Sequence, residues 1–116
     1  MQKLNQQEKT ALEKIAVQNR RNVLRLMKAG RMGHIGGALS AIDIITALYF
    51  KIMRVDPQNP DWPQRDRFVL SAGHKCQALY ATLASKGIFS HEILETYGAL
   101  GSKLGGHPDM HKVPGV

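Results

Sequence analysis

Three histidines, His34, His74 and His107, lie beside glycines at widely separated points of the sequence. An imidazole gives or takes a proton near neutral pH and hydrogen-bonds hydroxyl groups, so it suits general acid–base chemistry. The neighbouring glycines let the backbone turn sharply and approach a ligand closely. Each histidine alone is equally consistent with an incidental residue in a turn, but together they predict a shared site. The three settings are Gly33-His34-Ile35-Gly36-Gly37, Ser71-Ala72-Gly73-His74 and Gly105-Gly106-His107-Pro108-Asp109.

The residues before His74 have the composition of a buried strand. An apolar run at 68–70 follows the charged residues Asp66 and Arg67, and it is apolar on both alternate faces, as in strands covered by two layers. We therefore predict a strand at about residues 67–71, with His74 where the strand ends and the next helix begins. In open α/β sheets, ligands bind at that edge.

The first predicted helix covers about residues 5–29. Asn5 and Glu8 form a capping-box pattern at its start, and Gly30 is placed for its C-terminal cap. One stripe of this helix is apolar, and the charged and amide residues between its members are expected to face water. The stripe consists of Leu12, Ile15, Ala16, Val23, Leu26 and Met27.

Three further helices are predicted downstream. Four glycines in the segment 30–37 indicate a shaped loop, because a flexible linker would carry Ser, Thr or charge instead of Met, His and Ile. The second helix is then expected to open at Ser40. The third and fourth are expected at residues 75–85, ended by Gly87, and at 91–97, capped by Ser90.

The charge balance is basic. Sixteen Lys and Arg residues oppose nine Asp and Glu residues, which gives a net charge of +7. Such a balance suits a nucleic-acid or phosphate partner. However, the densest basic group, residues 20–31, runs along the first helix without interleaved aromatic residues for base stacking. A solvated helix face is expected there, and no nucleic-acid partner.

Several other classes of protein and site are also disfavoured. No uninterrupted apolar run approaches the roughly 18 residues of a membrane span, and the N-terminus lacks the apolar core of a signal peptide, so a cytoplasmic chain without a membrane partner is expected. The single cysteine, Cys76, excludes a disulfide framework and is expected to be a small buried or half-buried residue. His107 and His111 are four residues apart, but Pro108 opposes the helix that would place both on one metal, so no metal site is predicted.

One strand cannot satisfy its own backbone hydrogen bonds, and even two-stranded sheets are marginal. The chain is therefore either a helical protein with one extended segment or part of a larger α/β domain. We expect the second: residues 1–116 would form the N-terminal fragment of a single domain, with the remainder beyond residue 116.

At about residues 15–116 the sequence resembles the N-terminal part of transketolases. The three glycine–histidine settings occur in the order and at the spacings of that family. The most specific portion is Asn59-Pro60-Asp61-Trp62 followed by Arg65-Asp66-Arg67-Phe68-Val69-Leu70-Ser71. The resemblance implies the N-terminal portion of a three-layer α/β domain that binds thiamine diphosphate. It also implies an enzyme that transfers a two-carbon ketol unit from a ketose phosphate to an aldose phosphate, as in the pentose phosphate pathway.

The resemblance also implies roles for individual residues. His34 and His107 would be catalytic and would face the hydroxyls of the donor sugar. His74, Gly73 and Gly106 would lie against the cofactor, thiamine diphosphate. In this family the cofactor supplies the reactive carbon and the protein orients it.

Other parts of the family's machinery are absent from residues 1–116. The Gly-Asp-Gly stretch that holds Mg²⁺ and the diphosphate would fall beyond Val116, and the glutamate that activates the cofactor would lie in the C-terminal half. His34-Ile35-Gly36-Gly37 is similar to the split form, in which the two halves are separate polypeptides. We therefore expect a C-terminal half as partner, a homodimer or heterotetramer, and no activity from the 116 residues alone.

Three alternatives stay open. The first is a related enzyme of the 1-deoxyxylulose-5-phosphate synthase or dihydroxyacetone synthase type. The second is a catalytically inert remnant that acts only as an interaction partner. The third is a small basic module that binds nucleic acid through the face at residues 20–31, which would make its affinity strongly salt-dependent.

Overall fold

The computed structural model describes residues 3–116. Three α-helices form its centre: α1 (Gln6–Gly30), α2 (Ile35–Ala47) and α3 (Cys76–Lys86). A π-helical turn (Leu48–Ile52) continues α2, a 3-10 turn (Gly73–Lys75) leads into α3, and a 3-10 helix (His91–Thr96) follows it. The remaining described residues are turns and loops. α1, α2 and α3 contact one another pairwise and enclose one core.

The start of α1 confirms the predicted capping box. The Glu8 amide donates to Asn5 Oδ1 at 2.8 Å, and the Asn5 amide donates to Glu8 Oε2 at 3.0 Å. The end of α1 differs from the prediction, because Arg31 and not Gly30 takes the left-handed conformation (φ 51°, ψ 30°). Gly30 serves packing instead: a Cβ atom there would lie 2.6 Å from Cδ2 of Tyr97.

The prediction that the second helix opens at Ser40 is wrong. α2 begins five residues earlier, at Ile35, and Ser40 Oγ donates to the carbonyl oxygen of Gly37 inside the helix (2.8 Å). Glycine costs a helix up to about 1 kcal/mol per residue. Burial of Ala38, Ile42 and Ile45 in the core opposes that cost, so tertiary packing overrides the propensity of the glycines.

α3 is the central helix. All nine residues from Cys76 to Ala84 are buried, including Cys76, as predicted. Gly87, in the left-handed conformation (φ 86°), caps the helix as predicted, and its amide donates to the carbonyl oxygen of Ala84 at 3.0 Å. Ser90 caps the fourth predicted helix, which is 3-10. The third and fourth helices are thus confirmed.

The expectation that the polar side chains of α1 face water is wrong for two asparagines. Asn19 and Asn22 are both 0% exposed. Asn19 Nδ2 donates to Thr46 Oγ1 of α2 at 2.9 Å and to Thr82 Oγ1 of α3 at 3.4 Å. Asn22 Nδ2 donates to Ser85 Oγ at 3.0 Å. These bonds join the three helices through their centre, where buried polar groups require partners.

The predicted strand at 67–71 is absent: residues 3–116 contain no strand. Phe68 and Leu70 pack against the core, but Val69 between them is 83% exposed, so one face of this segment is bare. Its backbone makes no backbone hydrogen bond within the described residues. A strand needs a neighbouring strand to complete its ladder. The sequence pattern of residues 67–71 therefore determines which side chains point inward, but it cannot provide the neighbouring strand that a hydrogen-bond ladder needs.

The helical stretch Ile35–Ile52 is long and apolar enough to cross a membrane by length and composition alone. The buried helices of a globular core meet the same criterion. Here Ala38, Ile42, Ile45 and Tyr49 lie in the core with α1 and α3. One face of the stretch thus belongs to the core, although only 28% of the stretch is buried.

Candidate active site

The three histidines predicted to share a site lie together in the structure. The ring centroids of His34 and His74 are 4.9 Å apart, and the two rings meet edge to face at 71°. The ring of His107 lies against Gly73, the residue before His74: a Cβ atom on Gly73 would be 2.5 Å from Cδ2 of His107. All three side chains belong to exposed residues. His34 and His74 are 40 residues apart in sequence, and His74 and His107 are 33 apart, yet the three imidazoles lie on one surface.

His34 is positioned by the loop between α1 and α2. The amide of Gln77, on α3, donates from Nε2 to the carbonyl oxygen of Met32 at 3.1 Å. Gly33 has φ +128°, and a Cβ atom there would lie 2.2 Å from Gln77 Nε2. Glycine is therefore required at residue 33 both by its backbone conformation and by the close approach of Gln77. The next residue, His34, is the N-cap of α2.

His74 is positioned by the 3-10 turn that precedes α3. The Lys75 amide donates to the carbonyl oxygen of Ala72 at 2.9 Å, which closes this turn. The aliphatic part of the Lys75 side chain lies beside Gly37, with Cγ 3.4 Å from the position of a Cβ atom there. The beginnings of α2 and α3 are therefore adjacent, and each carries one histidine.

The first turn of α2 presents backbone donors beside these imidazoles. Its first helical bond runs from the Ala38 amide to the carbonyl oxygen of His34 at 2.9 Å, so the amides of Ile35, Gly36 and Gly37 precede the helical ladder. The side chain of His34 does not cap them. No heavy atom of residues 3–116 lies within 4 Å of the Cβ position on Gly36. A helix start of this kind favours an anion.

His107 belongs to a loop that α3 holds from below. Tyr80 Oη donates to the carbonyl oxygen of Gly105 at 2.8 Å, and Cys76 Sγ donates to that of Gly106 at 3.2 Å. Burial raises the pKa of the Cys76 thiol, and it also raises the pKa of the Tyr80 hydroxyl. Both groups are therefore protonated donors at neutral pH.

The other predicted site residues are placed as follows. Gly73 contacts His107, as described above. Gly106 is exposed, and no heavy atom of the described residues lies within 4 Å of its Cβ position, so its outer side is open to a ligand. The structure thus brings His34, His74, His107, Gly73 and Gly106 to one surface. Their individual roles toward substrate and cofactor stay predictions.

Sequence reasoning misses the residues of α3 that support this surface. It identifies Cys76 only as a buried residue, and it does not single out Gln77 or Tyr80. The sequence does contain a signal for these residues. Three side chains that can donate hydrogen bonds, those of Cys76, Gln77 and Tyr80, lie on one helix shortly after Gly73-His74. On a helix surrounded by core, such groups need partners, and here the partners are the backbone carbonyls of the two histidine loops.

The donors present fit a thiamine diphosphate group. Backbone amides at the start of α2 suit a diphosphate, imidazoles suit proton transfer and hydroxyl binding, and open glycines leave room for a ring. Within residues 3–116, no group of three or more His, Cys, Asp or Glu side chains could hold a metal ion. A metal that accompanies the diphosphate would therefore need ligands from elsewhere.

Known proteins resemble this chain over most of its length. Residues 12–116 match the family model described as transketolase, thiamine diphosphate binding domain. The chain is 46% identical over 109 residues to a 6-deoxy-6-sulfo-D-fructose transketolase subunit of Clostridium sp. (strain MSTE9), and the match covers 90% of this chain and 40% of that protein. It is 48% identical over 105 residues to an apulose-4-phosphate transketolase subunit of Phocaeicola vulgatus, with 90% of this chain and 37% of the relative covered.

Solved structures give the same result. The chain superposes on a transketolase from Leishmania mexicana with a TM-score of 0.85 and 34% identity, covering 90% of this chain and 16% of that one. A transketolase from Pichia stipitis in complex with sedoheptulose 7-phosphate gives a TM-score of 0.80 and 37% identity, with the same coverage. The chain thus spans less than half the length of these relatives. The resemblance inferred from the three histidine settings is confirmed, and the chain belongs to the transketolase family, in its thiamine-diphosphate-binding domain.

Proposed function

We propose that this chain is the N-terminal part of a transketolase, which transfers a two-carbon ketol unit from a ketose phosphate to an aldose phosphate. The observation that carries the proposal is the convergence of His34, His74 and His107 beside the free amides at the start of α2. This arrangement combines anion binding with proton transfer, which ketol transfer requires at one place. We also propose that residues 1–116 belong to a single α/β domain, to which residues 3–116 contribute helices and no strand.

In this proposal the residues of the chain bind, orient and move protons. His34 and His107 hydrogen-bond the hydroxyls of the donor sugar and hold the proton that its oxygen gains or loses. His74 and the amides of the first turn of α2 bind the diphosphate. Gly73 binds beside it and lets the ring of His107 lie close, and the open backbone at Gly106 makes room for the cofactor. When bound, thiamine diphosphate supplies the nucleophilic carbon to which the ketol unit is transferred. Mg²⁺ is proposed as its companion, with ligands contributed from outside these residues.

A second polypeptide half is proposed as partner. Two relatives are named as subunits of divided transketolases, and their names specify an apulose phosphate and a sulfosugar. We propose a C-terminal transketolase half as the partner of this chain, assembly as a homodimer or heterotetramer, a cytoplasmic location, and sugar phosphates of the pentose phosphate pathway as substrates. The runner-up is a related enzyme of the deoxyxylulose-phosphate synthase type, which would release carbon dioxide from its donor.

Contacts on the basic face of α1 weaken the alternative that this chain binds nucleic acid. Arg20 forms an ion pair with Asp43 (3.0 Å), and Arg25 forms one with Glu95 (2.8 Å). These two cations are partly neutralised by neighbouring carboxylates, which weakens a continuous positive stripe.

The test is an activity assay of the complete protein assembled with its C-terminal partner, thiamine diphosphate and Mg²⁺. We expect conversion of a ketose phosphate and an aldose phosphate into the products of two-carbon exchange, detected by mass spectrometry. Replacing His107 by Ala should lower turnover by about 100-fold or more, the scale of a lost acid–base group. His91→Ala is the matched control, since His91 lies in the 3-10 helix beyond α3.

Two outcomes would contradict the proposal. One is the absence of two-carbon exchange with any ketose phosphate although calorimetry shows that thiamine diphosphate binds. The other is equal turnover by His107→Ala and His91→Ala. Release of carbon dioxide from the donor would favour the runner-up.

A further inference from the structure

We propose that Tyr80 is a positioning residue for His107: its hydroxyl fixes the Gly105–Gly106 backbone and thereby the site of the imidazole. The inference rests on the proposed function, because it assumes that His107 faces the substrate. Tyr80 lies on α3, is fully buried, and approaches the surface only through the bond from Oη to the carbonyl oxygen of Gly105 (2.8 Å).

The loop has few other restraints. Gly105 and Gly106 have no side chains to pack, and residues 105–108 make no backbone–backbone hydrogen bond within the part of the chain that the structure describes. Leu104, which is buried, anchors the loop on one side. The bond from Cys76 Sγ to the carbonyl oxygen of Gly106 (3.2 Å) is weaker, because a thiol is a poor donor. The hydroxyl of Tyr80 is therefore the strongest single restraint two residues from His107.

The hydroxyl is itself held rigidly. The rings of Tyr80 and Tyr97 pack edge to face with centroids 6.1 Å apart, and Cys76 Sγ lies 3.8 Å from Tyr97 Oη. Because Tyr80 sits on the most deeply buried helix, its Oη has a fixed position relative to the 3-10 turn that carries Gly73 and His74. α3 thus holds the His107 loop through the Tyr80 hydroxyl, and the 3-10 turn that leads into α3 contacts the ring of His107.

The position of His107 matters on a scale of about 1 Å. A shift of about 1 Å in a catalytic group can reduce turnover by up to 100-fold. Removal of the Tyr80 hydroxyl leaves the ring packing intact, and it leaves the carbonyl of Gly105 free to turn toward water. The loop would then sample positions in which the imidazole no longer lies against Gly73.

The experiment compares Tyr80→Phe with Tyr49→Phe in the complete protein assembled with its partner. Tyr49 is also buried, but its hydroxyl has no hydrogen-bond partner among residues 3–116, so its loss is a matched control. We expect Tyr80→Phe to lower kcat about 10-fold or more while KM changes less than about threefold. Tyr49→Phe should leave kcat within about twofold of the original.

A double-mutant cycle distinguishes a positioning role of Tyr80 toward His107 from a purely structural role of Tyr80. If Tyr80 acts through His107, Tyr80→Phe should cause little further loss in a His107→Ala background. An equal fold-loss in both backgrounds, or an unchanged kcat in Tyr80→Phe, would overturn the proposal.

A second measurement does not depend on activity. In the NMR spectrum of the full chain, the proton on Cδ2 of His107 should show a strong nuclear Overhauser effect to the Cα protons of Gly73. Tyr80→Phe should reduce its intensity at least twofold relative to Tyr49→Phe, and equal intensities would overturn the proposal. If the original protein shows no two-carbon exchange, the proposed function fails while this measurement still decides the role of Tyr80. If Tyr80→Phe does not fold, Cys76→Ala removes the neighbouring bond and should produce a smaller loss of the same effect.

Discussion

The imidazole of His107 occupies the space into which any side chain at residue 73 would project, with Cδ2 2.5 Å from the position of a Cβ atom on Gly73. Gly73 does not have a positive φ, so its backbone conformation is open to other residues. The constraint at residue 73 is therefore one of space, and it couples the 3-10 turn before α3 to a loop more than 30 residues downstream.

Replacement of Gly73 by Ala should displace the ring of His107 without unfolding the protein. No real Cβ atom tolerates a contact this short, and the ring, on an exposed loop, is the part that can move. We expect turnover of the assembled enzyme to fall about 10- to 100-fold, with circular dichroism unchanged. The double variant with His107→Ala should be no slower than His107→Ala alone, and an additive loss would show that Gly73 acts independently of the imidazole.

Loss of the buried amide of Asn19 should destabilise the helical core. Asn19→Ala leaves the hydroxyls of Thr46 and Thr82 without their shared donor and creates a small cavity, so we expect a loss of about 2 to 3 kcal/mol in the free energy of unfolding. Urea unfolding monitored by circular dichroism measures this. Arg21→Ala, an exposed position on the same helix, should change the value by less than about 0.5 kcal/mol. Similar effects of the two substitutions would contradict a structural role for the buried network.

Two helical glycines should respond in opposite directions to substitution by Ala. At Gly30 the new Cβ atom would approach Cδ2 of Tyr97 to 2.6 Å and its carbonyl oxygen to 3.0 Å. Overpacking of this kind typically costs about 1 to 3 kcal/mol, which exceeds the gain in helix propensity of about 1 kcal/mol. At Gly36 the space is open, so Ala should stabilise the chain slightly. Thermal unfolding midpoints that rise for both variants would show that Tyr97 can move aside.

Alkaline pH should weaken the fold through Cys76. Burial raises the pKa of its thiol above the ordinary value, so the folded chain holds the neutral thiol while the unfolded chain ionises at about pH 8.5. Stability from this group is complete below that pH and is lost as pH rises toward the higher folded value. Between about pH 8.5 and 10, the free energy of unfolding should fall more steeply for the original protein than for Cys76→Ala. Equal slopes would contradict the assignment. The buried tyrosines add a similar loss from about pH 10 upward, where tyrosine ionises in the unfolded chain, because burial raises the pKa of Tyr49 to about 12 and also raises that of Tyr80 and Tyr97 in the folded chain. This loss is common to the original protein and to Cys76→Ala, so it cancels in the comparison.

Local sequence signals predicted the features that local interactions decide. The capping box of Asn5 and Glu8, the glycine cap at Gly87 and the cap at Ser90 each depend on residues within a few positions of one another. The glycine–histidine settings predicted a shared site, because glycine beside histidine has a chemical meaning in any fold. The juxtaposition of the three rings, however, depends on the packing of α2 against α3, which no local pattern encodes.

The failed predictions have tertiary causes. α2 starts at Ile35 because burial of Ala38 outweighs the helix cost of Gly36 and Gly37. Asn19 is buried because hydroxyls from two other helices lie within reach, which its polarity alone cannot indicate. The segment 67–71 has the side-chain pattern of a strand, but a strand is a property of two segments, and its partner is not among the described residues.

That segment also affects how the chain behaves among other chains. Among residues 3–116, the backbone of 67–71 makes no backbone hydrogen bond and Val69 faces outward, so this segment is a template on which an extended segment can align. Beside it lies a groove of about 270 Å³ lined by Phe68, Leu79, Pro108 and Met110, which would accept the apolar side chains of such a segment. The same segment therefore favours self-association between copies of the chain. Shielding residues 67–71 from other copies should raise the yield of native protein.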